Sequence, residues 1–120
     1  MGSIRGAICA KNTVEDIAQK SVLLVKTIIE QNELSLDKIE AVIFSVTDDL
    51  NACYPAKSVR EELNLNQAAF MCFREMSVPN TLSNCIRVCV LVEGLAQNRC
   101  KHCYLGEAAA LRTDLQNKSE

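Results

Sequence analysis

Arg87 has the clearest chemical potential in the chain, because it lies inside the apolar segment Cys85–Val92. Alternate side chains of a β-strand share a face, so Arg87 would lie with Cys89 and Leu91, opposite the other apolar residues of the segment. Burying an unpaired guanidinium costs several kcal/mol, so Arg87 needs a counterpart. The sequence leaves three alternatives open for this counterpart: solvent, a carboxylate, or an anionic ligand.

A second pair of cations, Lys57 and Arg60, lies in a segment that favours a short helix. Residues three apart share a helix face, so these two side chains would lie next to each other. Such a pair is typical either of a solvated face, with Glu61 and Glu62 as neighbours, or of a shallow anion site.

Cys100 and Cys103 form the nearest approach to a metal motif, a CxxC pair that includes His102. A structural zinc site usually takes four ligands from two such pairs, and the sequence has no second pair. We interpret the segment as two strand thiols beside a surface histidine, with a metal- or redox-linked role as the alternative. The odd total of seven cysteines favours a reducing compartment over a disulfide framework.

Composition predicts a single domain with neither a nucleic-acid nor a membrane partner. A chain of 120 residues has room for one core. Its net charge is -2 and its Lys and Arg residues are scattered, which argues against a nucleic-acid-binding surface. No apolar run reaches the roughly 18 residues that span a bilayer, and the N-terminus lacks a secretory h-region. We therefore expect a cytoplasmic protein.

The elements that position these residues follow from the hydrophobic spacing. Thr13, followed by Glu15 and Asp16, predicts a helix N-terminus, and apolar residues at helical spacing continue to about Gln31. Pro55 predicts the start of a short helix. The predicted order is a strand at 3–10, the long helix, a strand at Ile39–Val46, the short helix from 54, and strands at 68–73 and Cys85–Val92. A final strand with an Ala-rich continuation follows at 101–111.

This order predicts an α+β fold, in which a mixed β-sheet of about five strands packs against one long helix and one short helix. The helices would cover only one face of the sheet. Strands this apolar need cover on the other face too, and the simplest cover is another copy of the chain. We therefore expect an oligomer.

Five motifs together resemble the small monofunctional chorismate mutases of the AroH class. They are IRGA at 4–7, YPAKSVRE at 54–61, MCFREM at 71–76, CIRV at 85–88 and HCYLGEAAALRTDL at 102–115. The motifs occur in order over nearly the whole chain, which makes the resemblance specific. It implies one domain over 1–115, and we expect the polar residues 116–120 to form a mobile tail.

The resemblance implies a homotrimer of pseudo-α/β-barrel architecture, with an active site in each cleft between neighbouring subunits. The reaction of that family is the Claisen rearrangement of chorismate to prephenate, in the biosynthesis of phenylalanine and tyrosine. It uses no nucleophile, metal or redox cofactor, so we expect no cofactor. The alternative function is a non-catalytic trimeric module that binds a small carboxylate.

The resemblance also implies that Arg87, Glu75 and Arg5 are the catalytic residues. We expect the Arg87 guanidinium to point at the ether oxygen of the breaking bond, where negative charge develops. Glu75 would hold Arg87 in place and accept a hydrogen bond from the ring hydroxyl. Arg5 would bind a substrate carboxylate together with Tyr104.

The remaining substrate-binding residues come from other parts of the sequence. Cys72 is expected to contact the hydroxyl region, and Leu111 and Arg112 to belong to a tail that closes over the site. The opposing subunit is expected to contribute Tyr54, Ala56, Lys57 and Arg60. Taken singly, Glu75 also fits an ordinary ion pair, Tyr104 a half-buried packing residue and Cys72 a core thiol.

Two segments depart from the family pattern. The chain has Thr47-Asp-Asp-Leu50 where the family usually has Thr-Pro-Asp-Leu, and Arg112-Thr-Asp-Leu115 where it usually has Arg-Pro-Asp-Leu. Each change removes a rigid proline, so we expect a looser closing tail. Arg74 has no counterpart among the family's site residues and is expected to be a surface or interface charge.

Overall fold

The computed structural model describes residues 1–111 of the 120-residue chain. Within this part, strands and helices follow one another in the predicted order. They are β1 (Gly2–Cys9), α1 (Val14–Gln31), β2 (Ile39–Val46), α2 (Pro55–Glu62), β3 (Ala69–Arg74), β4 (Cys85–Val92) and β5 (Cys103–Tyr104). Short 3₁₀ turns span Leu36–Lys38, Gln97–Arg99 and Gly106–Ala110.

The described strands form one mixed sheet in the order β3-β2-β4-β1-β5. The central strand β4 is antiparallel to both of its neighbours, β1 and β2. The edge strands are parallel to theirs, β3 to β2 and β5 to β1. The predicted α+β fold with a mixed five-stranded sheet is therefore confirmed.

Helix α1 begins where the sequence predicts. The Thr13 hydroxyl accepts a hydrogen bond from the backbone N–H of Asp16 at 3.0 Å, which caps the first turn. The Asp16 carboxylate accepts from the backbone N–H of Lys11 at 2.6 Å and from Lys20 at 3.0 Å, and these bonds lower its pKa. The residues that α1 buries are Ile17, Ser21, Leu24, Val25 and Ile28.

The two faces of the sheet are covered differently. The helix-covered face carries the core residues Ile4, Ile8, Val42, Phe44, Ile86, Val88, Val90 and Val92, all of them buried. The open face carries Arg5, Ala7, Ser45, Met71, Phe73, Glu75, Cys85, Arg87, Cys89 and Leu91. The alternation predicted for β4 is confirmed, because Arg87 and Cys89 lie on the face opposite its buried residues.

Gly6 permits a close approach between β1, β5 and α1. A Cβ at this position would lie 2.6 Å from the Cys103 carbonyl oxygen and 3.2 Å from Leu24 and Ile28. Any side chain would force these three elements apart. Glycine therefore lets β1 pack tightly and fixes its neighbours in the chain, Arg5 and Ala7.

The last strand is much shorter than predicted. The sequence predicts a final strand with an Ala-rich continuation over 101–111, whereas β5 spans only Cys103–Tyr104. Gly106 adopts a left-handed backbone conformation with φ of 57°, after which the chain turns into the 3₁₀ segment Gly106–Ala110. Cys100 is not in a strand either, because it follows the 3₁₀ turn Gln97–Arg99. The predicted residue Arg112 and the predicted tail at 116–120 lie outside the described residues.

Candidate active site

Arg87 and Glu75 form an ion pair on the open face. The Arg87 Nε lies 3.5 Å from the Glu75 Oε1, and the two side chains are 37% and 29% exposed. The Ser45 hydroxyl donates to the same Oε1 at 2.6 Å, and the backbone N–H of Glu75 donates to the Val46 carbonyl at 2.7 Å. Glu75 is thus held by its backbone and by its side chain, and it presents a fixed carboxylate to Arg87.

The ion pair leaves hydrogen-bonding capacity on Arg87. At 3.5 Å the Nε–H is in electrostatic contact with the carboxylate but is not hydrogen-bonded to it, and it has no acceptor among residues 1–111. A buried donor without an acceptor costs about 1–3 kcal/mol. The arrangement therefore favours an added acceptor, such as an oxygen of an anionic ligand.

Arg5 is the second cation on the open face. Its Nε is buried and has no hydrogen-bond acceptor in the part of the chain that the structure describes. Its Nη2 lies 3.4 Å from the His102 Nε2, and its backbone N–H donates to the His102 Nδ1 at 2.9 Å. His102 is therefore partly buried against β1, and the predicted surface histidine is wrong.

The sheet register places predicted site residues in one row across the open face. Tyr104 on β5 is the register partner of Ala7 on β1, Ala7 is opposite Arg87 on β4, and Arg87 is opposite Ser45 on β2. Arg5 lies diagonally from Arg87, and such diagonal neighbours are typically about 7–8 Å apart. The small side chain of Ala7 separates Tyr104 from Arg87 in this row, and it is buried against Ala108 and Cys85.

The 3₁₀ turn Gly106–Ala110 covers one end of the open face. Ala108 packs on Ala7 and Cys85, and all three are buried, while Tyr104 and Leu111 lie at the margin of this cluster. Burial raises the pKa of the Cys85 thiol to about 11. The turn therefore brings Leu111 to the same end of the sheet as Tyr104.

The other predicted site residues lie at the edge of the sheet near α2. Tyr54, Lys57 and Cys72 line an open cavity of about 880 Å³, and Tyr54 is 77% exposed. Ala56 packs against the core and Arg60 is half-buried, and neither lines the cavity. The structure therefore divides the predicted set into two groups. The open-face group is Arg5, Glu75, Arg87 and Tyr104. The cavity group is the set at or next to the cavity, namely Tyr54, Ala56, Lys57, Arg60 and Cys72.

Cys72 belongs to the cavity group rather than to the neighbourhood of Glu75. Its register partner is Phe44, whose side chain is fully buried on the helix-covered face. Burial also raises the pKa of the Cys72 thiol, which keeps it neutral at pH 7. Within one chain, Cys72 and the Arg87–Glu75 pair therefore lie on opposite sides of the sheet.

Sequence reasoning missed Ser45, a residue of the open face. It named His102 but placed it at the surface instead of beside Arg5. Ser45 is a polar residue in an otherwise apolar half of β2, and this break in the pattern was a usable signal. Arg74 was interpreted correctly, since its side chain is 77% exposed and its Nε lies 3.3 Å from the Asp48 carboxylate. It is a surface charge.

No group of three or more His, Cys, Asp or Glu side chains within residues 1–111 is arranged to hold a metal ion. None of the helices in that range has the length and apolar character needed to cross a membrane.

Known proteins provide an independent comparison. Residues 1–115 match the model of the family described as chorismate mutase type I. The chain belongs to the type I chorismate mutase family. Its relatives include the chorismate mutase AroH of Bacillus subtilis (strain 168), which is 38% identical over 114 residues and is matched over 93% of this chain and 90% of its own. The chorismate mutase AroH of Thermus thermophilus is 38% identical over 117 residues, 95% of each chain.

A solved structure shares the fold as well. The chorismate mutase from Clostridium thermocellum superimposes with a TM-score of 0.86 and 36% identity, covering 92% of this chain and 99% of that structure. The resemblance drawn from the sequence is thereby confirmed, and so is the prediction that the chain is an isomerase. The alternative of a non-catalytic carboxylate-binding module has no support from these matches.

Proposed function

We propose that this type I chorismate mutase converts chorismate to prephenate at a site that a neighbouring copy of the chain completes. The observation that carries the proposal is the Arg87–Glu75 pair, a half-buried and anchored guanidinium that retains donor capacity. Arg5 lies on the same face with a buried, unsatisfied Nε. Two fixed cations with spare donors suit a substrate that carries two carboxylates and an ether oxygen.

The reaction breaks a carbon–oxygen bond while a new carbon–carbon bond forms in one concerted step. Chorismate must adopt a compact diaxial chair, so cations that clamp its carboxylates select the reactive conformer. The ether oxygen gains negative charge only as the bond breaks. A donor aimed at this oxygen stabilises the transition state more than the ground state, typically by about 3 kcal/mol.

Arg87 is the donor that we assign to the ether oxygen. Its strand is flanked on both sides by hydrogen-bonded strands, and Glu75 restrains its side chain, so little reorganisation is needed during the reaction. Glu75 also accepts from the ring hydroxyl, and Arg5 and Tyr104 bind a carboxylate. Leu111 and Arg112 belong to the segment that closes over the site, and no cofactor takes part.

The division of the site residues supports an oligomer. Cys72 lies on the helix-covered side of the sheet, and Arg87 and Glu75 lie on the open side. These residues can therefore act on one substrate if the open face of one copy meets the cavity of the next. Met71 and Phe73 on the open face and Met76 just beyond β3 are 54%, 50% and 78% exposed, which is apolar area that a neighbour would bury.

We assign three copies to this assembly. A contact between two different surfaces is heterologous, and it closes into a ring if the rotation between copies fits. In a homotrimer of pseudo-α/β-barrel architecture, the sheets would face inward and the helices outward. The neighbouring copy would then contribute Tyr54, Ala56, Lys57, Arg60 and Cys72 to each site.

We place the enzyme in the cytoplasm, where it acts in phenylalanine and tyrosine biosynthesis. The sequence has seven cysteines, an odd number that intramolecular disulfides could not pair completely. This many cysteines in an odd number suits a reducing compartment better than a disulfide framework.

The function is tested by following chorismate loss and prephenate formation with the purified protein, while its mass in solution is measured by light scattering. We expect turnover by a trimer, and a kcat lowered by about 10²–10³-fold with Arg87→Ala. Saturable chorismate binding by a trimer that forms no prephenate would overturn the proposal in favour of a binding module.

A further inference from the structure

We infer that His102 is a positioning residue of the substrate site, which acts through Arg5. This inference rests on the proposed function, because it concerns how the protein holds the cation assigned to a substrate carboxylate. His102 directly precedes β5, and the next residue, Cys103, is the register partner of Gly6 on β1. The imidazole therefore lies alongside Arg5 rather than at a free surface.

The hydrogen bond to the Arg5 backbone fixes the tautomer of His102. A backbone N–H can only donate, so the Nδ1 that lies 2.9 Å from it must present its lone pair. A neutral imidazole carries one N–H, which must then be on Nε2. The geometry therefore determines where the histidine proton lies.

This tautomer determines what Arg5 can bind. The Arg5 Nη2 lies 3.4 Å from the His102 Nε2, and a guanidinium nitrogen is always a donor. Two donors face each other at this contact, so His102 does not accept a hydrogen bond from Arg5. The opposite tautomer would accept one at Nε2 and occupy the guanidinium. The observed arrangement holds the backbone of Arg5 but keeps its side-chain donors available for a carboxylate.

The rest of the surroundings supports this role. The Arg5 Nε is buried with no acceptor within residues 1–111, so this donor of the guanidinium is not satisfied by the protein there. The close approach at Gly6 fixes the backbone on the C-terminal side of Arg5. His102 fixes the backbone of Arg5 itself, which leaves the side chain with a defined origin and direction.

The tautomer can be measured directly, because the chain contains a single histidine. In a ¹⁵N NMR spectrum of the wild-type protein near neutral pH, we expect the protonated-type signal at Nε2 and the lone-pair-type signal at Nδ1. This readout requires no variant and no activity. A proton on Nδ1, in either the other tautomer or the imidazolium, would overturn the inference.

Three variants test the positioning role by kinetics. His102→Leu removes the acceptor for the Arg5 backbone, and we expect KM for chorismate to rise roughly ten-fold while kcat changes less than about three-fold. In His102→Asn the amide oxygen can replace Nδ1, so KM should stay within about three-fold of wild type. Lys101→Ala, at the exposed neighbouring residue, is the matched control and should be unchanged.

A double-mutant cycle separates positioning from general stability. In an Arg5→Ala background, His102→Leu should raise KM no further, since the residue through which it acts is gone. Equal KM values for the Leu and Asn variants, or a full additional rise in the Arg5→Ala background, would overturn the inference. Wild-type protein without chorismate turnover would overturn the proposed function instead, whereas wild-type turnover with an unchanged KM in His102→Leu would overturn only the role of His102.

Discussion

The two faces of the sheet are made by the same strands but have different roles. On the helix-covered face, Phe44, Val88 and Val90 are buried within a continuous apolar core. On the open face, the positions between them carry Ser45, Arg87 and Cys89. A strand thus alternates between a residue that stabilises the fold and one available for chemistry. Because the same strands carry both sets of residues, packing of the core also restrains the backbone that holds the site residues.

The largest expected effect sharpens this comparison with two phenylalanines. Phe44→Ala leaves a cavity in the core and should lower the free energy of unfolding by about 3–5 kcal/mol. Phe73→Ala, at a side chain that is 50% exposed on the open face, should leave the unfolding of a single chain within about 1 kcal/mol of wild type. It should instead weaken assembly, because a neighbour would cover Phe73.

Urea unfolding at several protein concentrations, with light scattering, measures both effects. If Phe44→Ala does not fold, Phe44→Leu provides a milder change at the same position. Similar, concentration-independent losses for Phe44→Ala and Phe73→Ala would contradict the distinction between the two faces.

The next effect concerns two ion pairs, one on the open face and one at the surface. Arg87→Ala should lower kcat by about 10²–10³-fold with a smaller change in KM, because the guanidinium acts mainly in the transition state. Lys38→Ala is the matched control, because Lys38 lies 3.9 Å from the Glu93 carboxylate in a pair that is 52% and 58% exposed and does not line the cavity, and it should change kcat less than about two-fold. Stopped or continuous assays of chorismate turnover measure kcat and KM for each variant, and circular dichroism verifies that each variant is folded. A loss confined to KM would assign Arg87 to carboxylate binding only.

A smaller effect is expected from the carboxylates of the same two pairs. Glu75→Gln keeps an oxygen near Ser45 but removes the charge that restrains Arg87, so kcat/KM should fall about ten-fold. Glu93→Gln at the surface pair should change it less than about two-fold. The ratio of the two effects, measured in one assay, reports how far the open face differs from ordinary surface.

The covered end of the open face predicts a pH effect on stability. Burial beneath the 3₁₀ turn raises the pKa of Cys85 to about 11, whereas a free thiol titrates near about 8.5. The folded protein holds the neutral thiol, so this contribution is complete below about pH 8.5 and is lost as the pH rises toward about 11. Urea midpoints should fall more steeply over this range in wild type than in Cys85→Val, and parallel curves would show that Cys85 is not buried in solution.

Much of this organisation could be predicted from the sequence, because it depends on local patterns. The alternation in β4 and the Thr13 cap of α1 were both confirmed, since strand period and capping chemistry act over a few residues. The parity of Cys72 and Glu75, three residues apart, already places them on opposite faces of an extended chain. The family resemblance placed Cys72 and Glu75 at the same substrate region because a family's site residues refer to the assembled oligomer and not to one chain.

Other features depend on contacts between distant segments. The row from Tyr104 through Ala7 to Arg87 exists because β5 pairs with β1 in parallel, and no local pattern specifies this register. The short extent of β5 follows from one left-handed glycine, Gly106, in a stretch whose composition favours continuation. The contact of His102 with Arg5 spans 97 positions in sequence.

The central claim is that each site combines the open face of one copy with the cavity of the next. Arg87→Ala disables the first half, and Lys57→Ala/Arg60→Ala disables the second. Each variant alone should be nearly inactive, but coexpression with two affinity tags and purification of mixed trimers should restore about a third of wild-type activity, because one of the three interfaces in each mixed trimer joins two intact halves. Mixed oligomers with no more activity than the parent variants would contradict the claim and place the whole site within one chain.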